Sequence, residues 1–176
     1  MKLRSTLVLL GAASLLGGCA GLMHSGPMAQ ARLEPTRGNA TTGVVMFHQR
    51  GEAVMVHARV EGLKPGQEHG FHVHEKGDCG SGDGMSTGGH FNPAGKPHGP
   101  QDTVERHAGD LPSLKADAQG RADVKFTLGG ITVGSGATDV VGKGLIVHAM
   151  PDDYRTQPTG NAGARLACAV IARHTY

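Results

Sequence analysis

The sequence of 176 residues lacks the patterns that define several other classes of protein. No segment keeps an apolar period of 3.6 residues, so the sequence does not predict amphipathic helices. No stripe or run of lysine and arginine is present, which removes the electrostatic footprint of a nucleic-acid-binding protein. No cysteine lies in a C-x-x-C pair, and the 29 glycines include no phosphate-binding loop. The features that indicate its fold and function are short strand-like segments, turns and an unusual set of histidines.

The N-terminus resembles an export signal that ends in a lipidation site. Lys2 and Arg4 precede an apolar run, residues 7–16, that is too short to span a bilayer. The ending Leu16-Gly17-Gly18-Cys19 resembles a bacterial lipobox, so residues 1–18 are expected to be a signal peptide and Cys19 the lipidated mature N-terminus. This predicts a membrane-anchored lipoprotein of the periplasm or cell envelope. Ordinary cleavage nearby, with Cys19 removed or left free, is the alternative.

Removal of this leader changes the charge balance and leaves two cysteines. Without Lys2 and Arg4, 15 basic and 15 acidic residues remain, so the mature chain is neutral and no nucleic-acid partner is expected. An oxidising compartment predicts a disulfide between Cys79 and Cys168. The alternative is a pair of unrelated buried thiols.

Residues 41–176 predict a single all-β domain, and residues 19–40, which lack periodicity, predict a flexible tether. Apolar residues at 44–47 and alternating apolar residues at 54–60 flank Arg50-Gly51-Glu52, which predicts a β-hairpin. Further strands are predicted at residues 70–74, 121–127, 144–149 and 166–172. Many short strands separated by turns indicate a sandwich or barrel.

Six histidines and one aspartate have spacings that suit two neighbouring metal ions: His72, His74, His90, His98, His107, His148 and Asp110. Side chains alternate along a strand, so the first two histidines face the same side of GFHVH (70–74). Most of the others lie in the Gly- and Pro-rich stretch 78–110, a loop long enough to suggest a function. Imidazole binds zinc, copper and nickel, so the pattern indicates metal without choosing the ion.

Five motifs in the same order resemble copper–zinc superoxide dismutase of the exported bacterial type: GFHVHEKGDC, GGHFNPAGKPHGP, ERHAGDLP, GLIVHA and GNAGARLACAVI. The resemblance implies an eight-stranded Greek-key β-barrel, related to Ig-like sandwiches, with long metal-binding and electrostatic loops. The implied enzyme converts two superoxide anions and two protons to oxygen and hydrogen peroxide by Cu(II)/Cu(I) cycling. It would protect the cell envelope from oxidative damage.

The same resemblance assigns roles to individual residues. It implies one copper ion held by His72, His74, His90 and His148, and one zinc ion held by His90, His98, His107 and Asp110. His90 would bridge the two metals and would release copper and take a proton when copper is reduced. Arg165 would bind the superoxide anion beside copper, and Asp152 would link His72 to His98.

Two other functions fit parts of the pattern. A zinc hydrolyase of the carbonic-anhydrase type also uses H-x-H, but it leaves His90, the second ligand set and Arg165 unexplained. A non-catalytic metal-binding module is the second alternative, since a fold alone does not fix function. A homodimer is compatible with the sequence and is not required by it. The methionines show no clustering along the chain, and five histidines stay without a role: His24, His48, His57, His69 and His174.

Overall fold

The computed structural model describes residues 26–175, so the predicted signal peptide, Cys19 and His24 lie outside the described residues. Its elements are β1 (Met28–Pro35), β2 (Thr42–Arg50), β3 (Ala53–Glu61), β4 (Glu68–His69), β5 (Phe71–His74), a 3-10 turn (Met85–Thr87), β6 (Leu114–Lys115), β7 (Ala122–Leu128), β8 (Gly144–His148), β9 (Arg165–Val170) and β10 (Ala172–His174). No helix within residues 26–175 is long and apolar enough to span a membrane.

Eight of the strands form one curled antiparallel sheet in the order β5-β8-β9-β1-β2-β3-β7, with β10 pairing with β1. The two-residue strands β4 and β6 pair with each other. The sheet forms a half-barrel, and its concave side holds an apolar core that includes Phe47, Phe71 and Leu145. The prediction of an all-β barrel fold is therefore confirmed.

The expectation of a flexible tether over residues 19–40 is wrong for residues 28–35, which form β1. This strand lies inside the sheet, between β2 and β9, and Ala29, Ala31 and Leu33 are at most 1% exposed. The residues alternate as a strand requires, but two of the three inward positions are alanine, which gives a weak apolar signal. The close approach of neighbouring strands favours these small side chains.

The predicted hairpin is confirmed as β2 and β3, which pair in register from Thr42–Glu61 to Arg50–Ala53. Gly51 has a φ of +59°, the left-handed backbone that a tight turn of this kind needs. The inward residues of the hairpin, among them Val45 and Val56, enter the core, and the alternate residues face outward. The hairpin, β1 and β10 thus form one half of the sheet, away from β5 and β8.

Candidate metal centre

The edge of the sheet formed by β5 and β8 positions three of the predicted metal ligands. Phe71 and Val73 face the core, so His72 and His74 project from the outer face of β5. His148 ends β8, and β5 pairs with β8 along its whole length. All three imidazoles are at most 4% exposed, because loops cover this outer face.

A β-bulge brings Arg165 to the same face. Along β8 and β9, Val147 pairs with Ala167, but the next pair is His148 with Arg165, so Leu166 is the extra residue. Strict alternation would place Arg165 on the opposite side from His148. The bulge reverses that order, as bulges near functional sites often do, and aims the guanidinium at the histidines.

The long loop after β5 folds back over that strand and carries the remaining predicted ligands. Isolated bridges join His74 to His90 and His72 to Asp110. The amide N–H of Val73 donates to the carbonyl of Gly109 at 2.9 Å. A side chain at Gly109 would overlap the Val73 carbonyl oxygen, so glycine is required for this close approach.

His72, His74, His90 and His148 converge, with one ligand atom from each lying within 4.8 Å of the others. Three of the rings use one nitrogen in a hydrogen bond: His72 Nε2 with Asp152 at 2.7 Å, His74 Nδ1 with the Gly88 carbonyl at 2.9 Å, and His148 Nδ1 with the Gly163 carbonyl at 3.2 Å. The other nitrogens are buried without a hydrogen-bond partner: Nδ1 of His72 and Nε2 of His74, His90 and His148. A buried unpaired nitrogen is costly unless it binds a ligand, and here four face one another.

The second set, His90, His98, His107 and Asp110, has the dimensions of a tetrahedral zinc site. Asp110 Oδ1 lies 2.8 Å from His90 Nδ1, 3.0 Å from His98 Nδ1 and 3.3 Å from His107 Nδ1. The Nδ1 atoms of His107 and His90 are 3.4 Å apart. Four ligands bound to zinc at about 2.0 Å are separated from one another by about 3.3 Å. The residues present therefore fit a closed zinc site beside the four-histidine set.

Burial keeps the imidazoles of the four-histidine set neutral in the metal-free protein. Burial, together with the neighbouring histidines, lowers the pKa of His74 and of His148 well below the usual value. Burial also lowers the pKa of His90 to about 4, although its hydrogen bond to Asp110 opposes the shift. Neutral imidazoles present lone pairs, which metal binding requires.

The zinc set has the opposite electrostatic character. Burial alone would raise the pKa of Asp110, but hydrogen bonds from His107, His90 and His98 hold it far below its usual range. Burial likewise opposes protonation of His98, but its hydrogen bonds to Asp110 and Asp152 raise its pKa to about 9. A metal that binds here must displace the proton on His98, and the carboxylate charge favours a cation.

Asp152 joins the two sets. Its carboxylate accepts from His72 Nε2 at 2.7 Å and from His98 Nε2 at 2.9 Å, and it also accepts the Tyr154 amide N–H at 2.7 Å. Both rings are therefore oriented with Nε2 toward Asp152 and Nδ1 toward the predicted ligand sets. Asp152 is 5% exposed, whereas the neighbouring Asp153 is exposed and accepts hydrogen bonds from Arg155 and Thr156 of its own loop.

Arg165 lies in a cradle of oxygen atoms beside the four-histidine set. Its Nη1 donates to the Gly84 carbonyl and to Thr87 Oγ1, both at 2.6 Å, and its Nη2 donates to the Gly88 carbonyl at 2.9 Å. The Gly88 carbonyl also accepts from His74 Nδ1, so one peptide group orients both side chains. The guanidinium is thus fixed while part of it stays exposed.

A disulfide anchors this cradle, as predicted. Cys79 and Cys168 are bonded, which ties the start of the loop after β5 to β9. Cys168 lies three residues after Arg165. The disulfide therefore links the strand that carries Arg165 to the loop that supplies its hydrogen-bond acceptors. The free-thiol alternative is excluded for these two cysteines.

Sequence reasoning assigned no role to His69, which is hydrogen-bonded to the backbone of His148. It is 1% exposed, and its Nδ1 donates to the carbonyl of His148 at 2.8 Å. This bond fixes the end of β8, where the side chain of His148 leaves the strand. A histidine directly before GFHVH was visible in the sequence, but its contact depends on the pairing of β5 with β8.

Comparisons with known proteins agree with this geometry. Residues 41–171 match the family model described as copper/zinc superoxide dismutase (SODC). The crystal structure of the clock protein EA4 is similar, with a TM-score of 0.77 and 37% sequence identity over 84% of this chain and 95% of that one. The family match excludes the zinc hydrolyase alternative. The chain therefore belongs to the copper/zinc superoxide dismutases, enzymes that bind copper and zinc and convert superoxide to oxygen and hydrogen peroxide.

Proposed function

We propose that His72, His74, His90 and His148 hold the copper ion of this dismutase, and that His90, His98, His107 and Asp110 hold its zinc ion. The observation that supports this assignment is the set of four buried ring nitrogens that face one another without a hydrogen-bond partner. Beside them, the second ligand set has the spacing of a tetrahedral zinc site. His90 belongs to both sets because its Nε2 faces the first and its Nδ1 lies against Asp110. One imidazole would therefore serve both ions.

Copper held by these residues would supply the redox chemistry, through its Cu(II) and Cu(I) states, for the oxidation of one superoxide and the reduction of a second. The protein has to attract a small anion, orient it and supply a proton. Arg165 provides a permanent positive charge, and three of its five N–H groups donate to Gly84, Thr87 and Gly88. His90 Nε2 is the atom that we propose carries a proton, since its ring is held in place through Nδ1.

Superoxide dismutation measured with metal analysis tests the role of Arg165. Arg165→Ala should lower the rate by at least about tenfold, since a charge-assisted hydrogen bond contributes roughly 1.5–3 kcal/mol. Copper and zinc contents should stay unchanged, because no ligand is altered. The control is Arg173→Ala, which removes an exposed arginine of β10 that donates to the Gly134 carbonyl. Equal rates for both variants would refute the proposed anion site.

We also propose that the enzyme acts in the cell envelope, attached to a membrane through lipid on Cys19, and protects that compartment from superoxide. Two features support this location. The first 19 residues have the pattern of a bacterial lipoprotein signal. The disulfide between Cys79 and Cys168 is a bond typical of oxidising compartments.

Expression of the full chain in a bacterial host tests the location. The dismutase activity should fractionate with membranes, and mass spectrometry should find lipid on Cys19. Cys19→Ser should abolish lipidation and release the activity from the membrane, with the specific activity unchanged because the metal centre is untouched. Parental protein that is fully soluble and unlipidated would contradict the proposal.

A further inference from the structure

A row of alternating imidazoles and thioethers crosses the outer face of the sheet, away from the dismutase centre. The register places His174 of β10 beside Met28 of β1, Met28 beside His48 of β2, and His48 beside Met55 of β3. Directly paired residues share a face, with Cβ atoms about 5 Å apart. The row takes one residue from each of four strands, so only strand pairing brings the residues together.

His48 is the buried member of this row. It is 7% exposed although it lies on the outer face, and its Nε2 has no hydrogen-bond partner. Leaving a buried polar nitrogen unpaired costs about 1–3 kcal/mol. Five of the other six unpaired buried ring nitrogens among residues 26–175 belong to the two ligand sets of the dismutase centre.

The charges around the row favour a soft, monovalent ion. Burial, and then the charge of Arg50, lowers the pKa of His48, so its ring is neutral at pH 7 and offers a lone pair. The row contains no carboxylate, which a hard divalent cation would require. Thioether ligands select Cu(I), and an ion of single charge is repelled less by Arg50 than a divalent ion.

We propose that Met28, His48 and Met55 form a second copper site, specific for Cu(I), with His174 at the end of the row as a further ligand. In the order of the sheet, β2 is separated from β5 by three strands, so this site is distinct from the dismutase centre. It does not depend on the roles proposed there. The sequence does not indicate this site, because its methionines are not clustered along the chain. They become neighbours only through the pairing of β1, β2 and β3.

Anaerobic titration of the full-length holoprotein with Cu(I), in competition with bicinchoninate, tests the proposal. The parent, already loaded with copper and zinc, should bind one additional Cu(I) per chain. The double variant Met28→Leu/Met55→Leu should bind it at least tenfold more weakly. Leucine conserves the volume of methionine, and unchanged dismutase activity would show that the double variant is folded.

X-ray absorption at the copper edge adds a readout that is specific to this site. The predicted ligands of the dismutase copper are all nitrogens, so sulfur neighbours would come from the added ion. The matched control is Met46→Leu, which alters the neighbouring row of β2, where Met46 pairs with Gln30 and His57. It should bind Cu(I) like the parent. Absence of additional binding, absence of sulfur neighbours, or equal affinities of the double variant and the parent would each overturn the proposal, as would equal weakening in Met46→Leu.

Discussion

Asp152→Asn should weaken metal binding because one amide cannot replace the carboxylate toward two rings. The carboxylate accepts N–H groups from both His72 and His98. Asparagine offers one oxygen and one NH₂ group, so the NH₂ must face one ring nitrogen that also carries hydrogen. That ring must turn or move its hydrogen to Nδ1, the atom that the metal needs. At least one of the two metals should therefore bind less tightly.

The size of this effect follows from the burial of the carboxylate. A hydrogen bond to a buried charged group contributes roughly 1.5–3 kcal/mol, which corresponds to about a tenfold to hundredfold loss of affinity. This agrees with the usual effect of removing a partner of a metal ligand. The loss should be measured by chelator competition for copper and for zinc separately. Asp153→Asn is the matched control, since Asp153 is exposed and caps only its own loop. Parental affinities for both metals in Asp152→Asn would refute the reasoning.

Three further predictions concern stability and metal loading. Removing the disulfide by Cys79→Ser/Cys168→Ser should lower the free energy of unfolding by up to about 4–5 kcal/mol, because the bond closes 89 residues in sequence, as measured by urea denaturation. Gly160→Ala should reduce copper or zinc content, since a Cβ there would overlap Asp152 Oδ1. The metal-free protein should lose stability as pH falls from about 6.5 to 4. Burial lowers the pKa of His90 to about 4 in the folded protein, whereas the unfolded chain takes up this proton near pH 6.5. The difference corresponds to a loss of up to about 3 kcal/mol in the free energy of unfolding.

Each of these predictions has an outcome that would contradict it. A disulfide-free variant that unfolds at the same urea concentration as the parent would contradict the expected stabilisation by the disulfide. For Gly160→Ala, the control is Gly38→Ala, which has a similar positive φ but no atom within 4 Å of the added Cβ, and which should keep its metals. If both variants lose metal equally, backbone strain and not Asp152 is responsible. Metal-free protein with equal stability at pH 7 and pH 4.5 would show that protonation of His90 is compensated elsewhere.

The sequence predicted the parts of the fold that depend on local pattern. The hairpin of β2 and β3 has both alternation and a turn glycine, so it was found to within a few residues. β1 was missed because Ala29 and Ala31 carry little hydrophobic signal, and their burial is decided by the neighbouring strands. The two-residue strands β4 and β6 are too short for any periodicity to show.

The candidate centre shows the same division. Alternation in GFHVH predicted that His72 and His74 share a face, and the structure places them together. The position of Arg165 opposite His148 depends on the bulge at Leu166, which no local pattern indicates. Contacts that depend on register, such as that of His69 with the end of β8, likewise follow from the pairing of distant strands.

The folding of the ligand loop over β5 has a consequence for self-association. β5 is an edge strand of the sheet, and edge strands with free backbone groups can pair with other molecules. The Val73 amide donates to Gly109, and the Val73 carbonyl accepts from Phe91 at 2.8 Å, so the loop occupies this edge as an additional strand would. Ions that hold the loop would also keep the edge closed. Hydrogen exchange at the Val73 amide should therefore be faster without metal. Equal exchange rates with and without metal would show that the loop protects the edge strand without bound ions. Resistance to aggregation and metal occupancy are thus expected to rise and fall together.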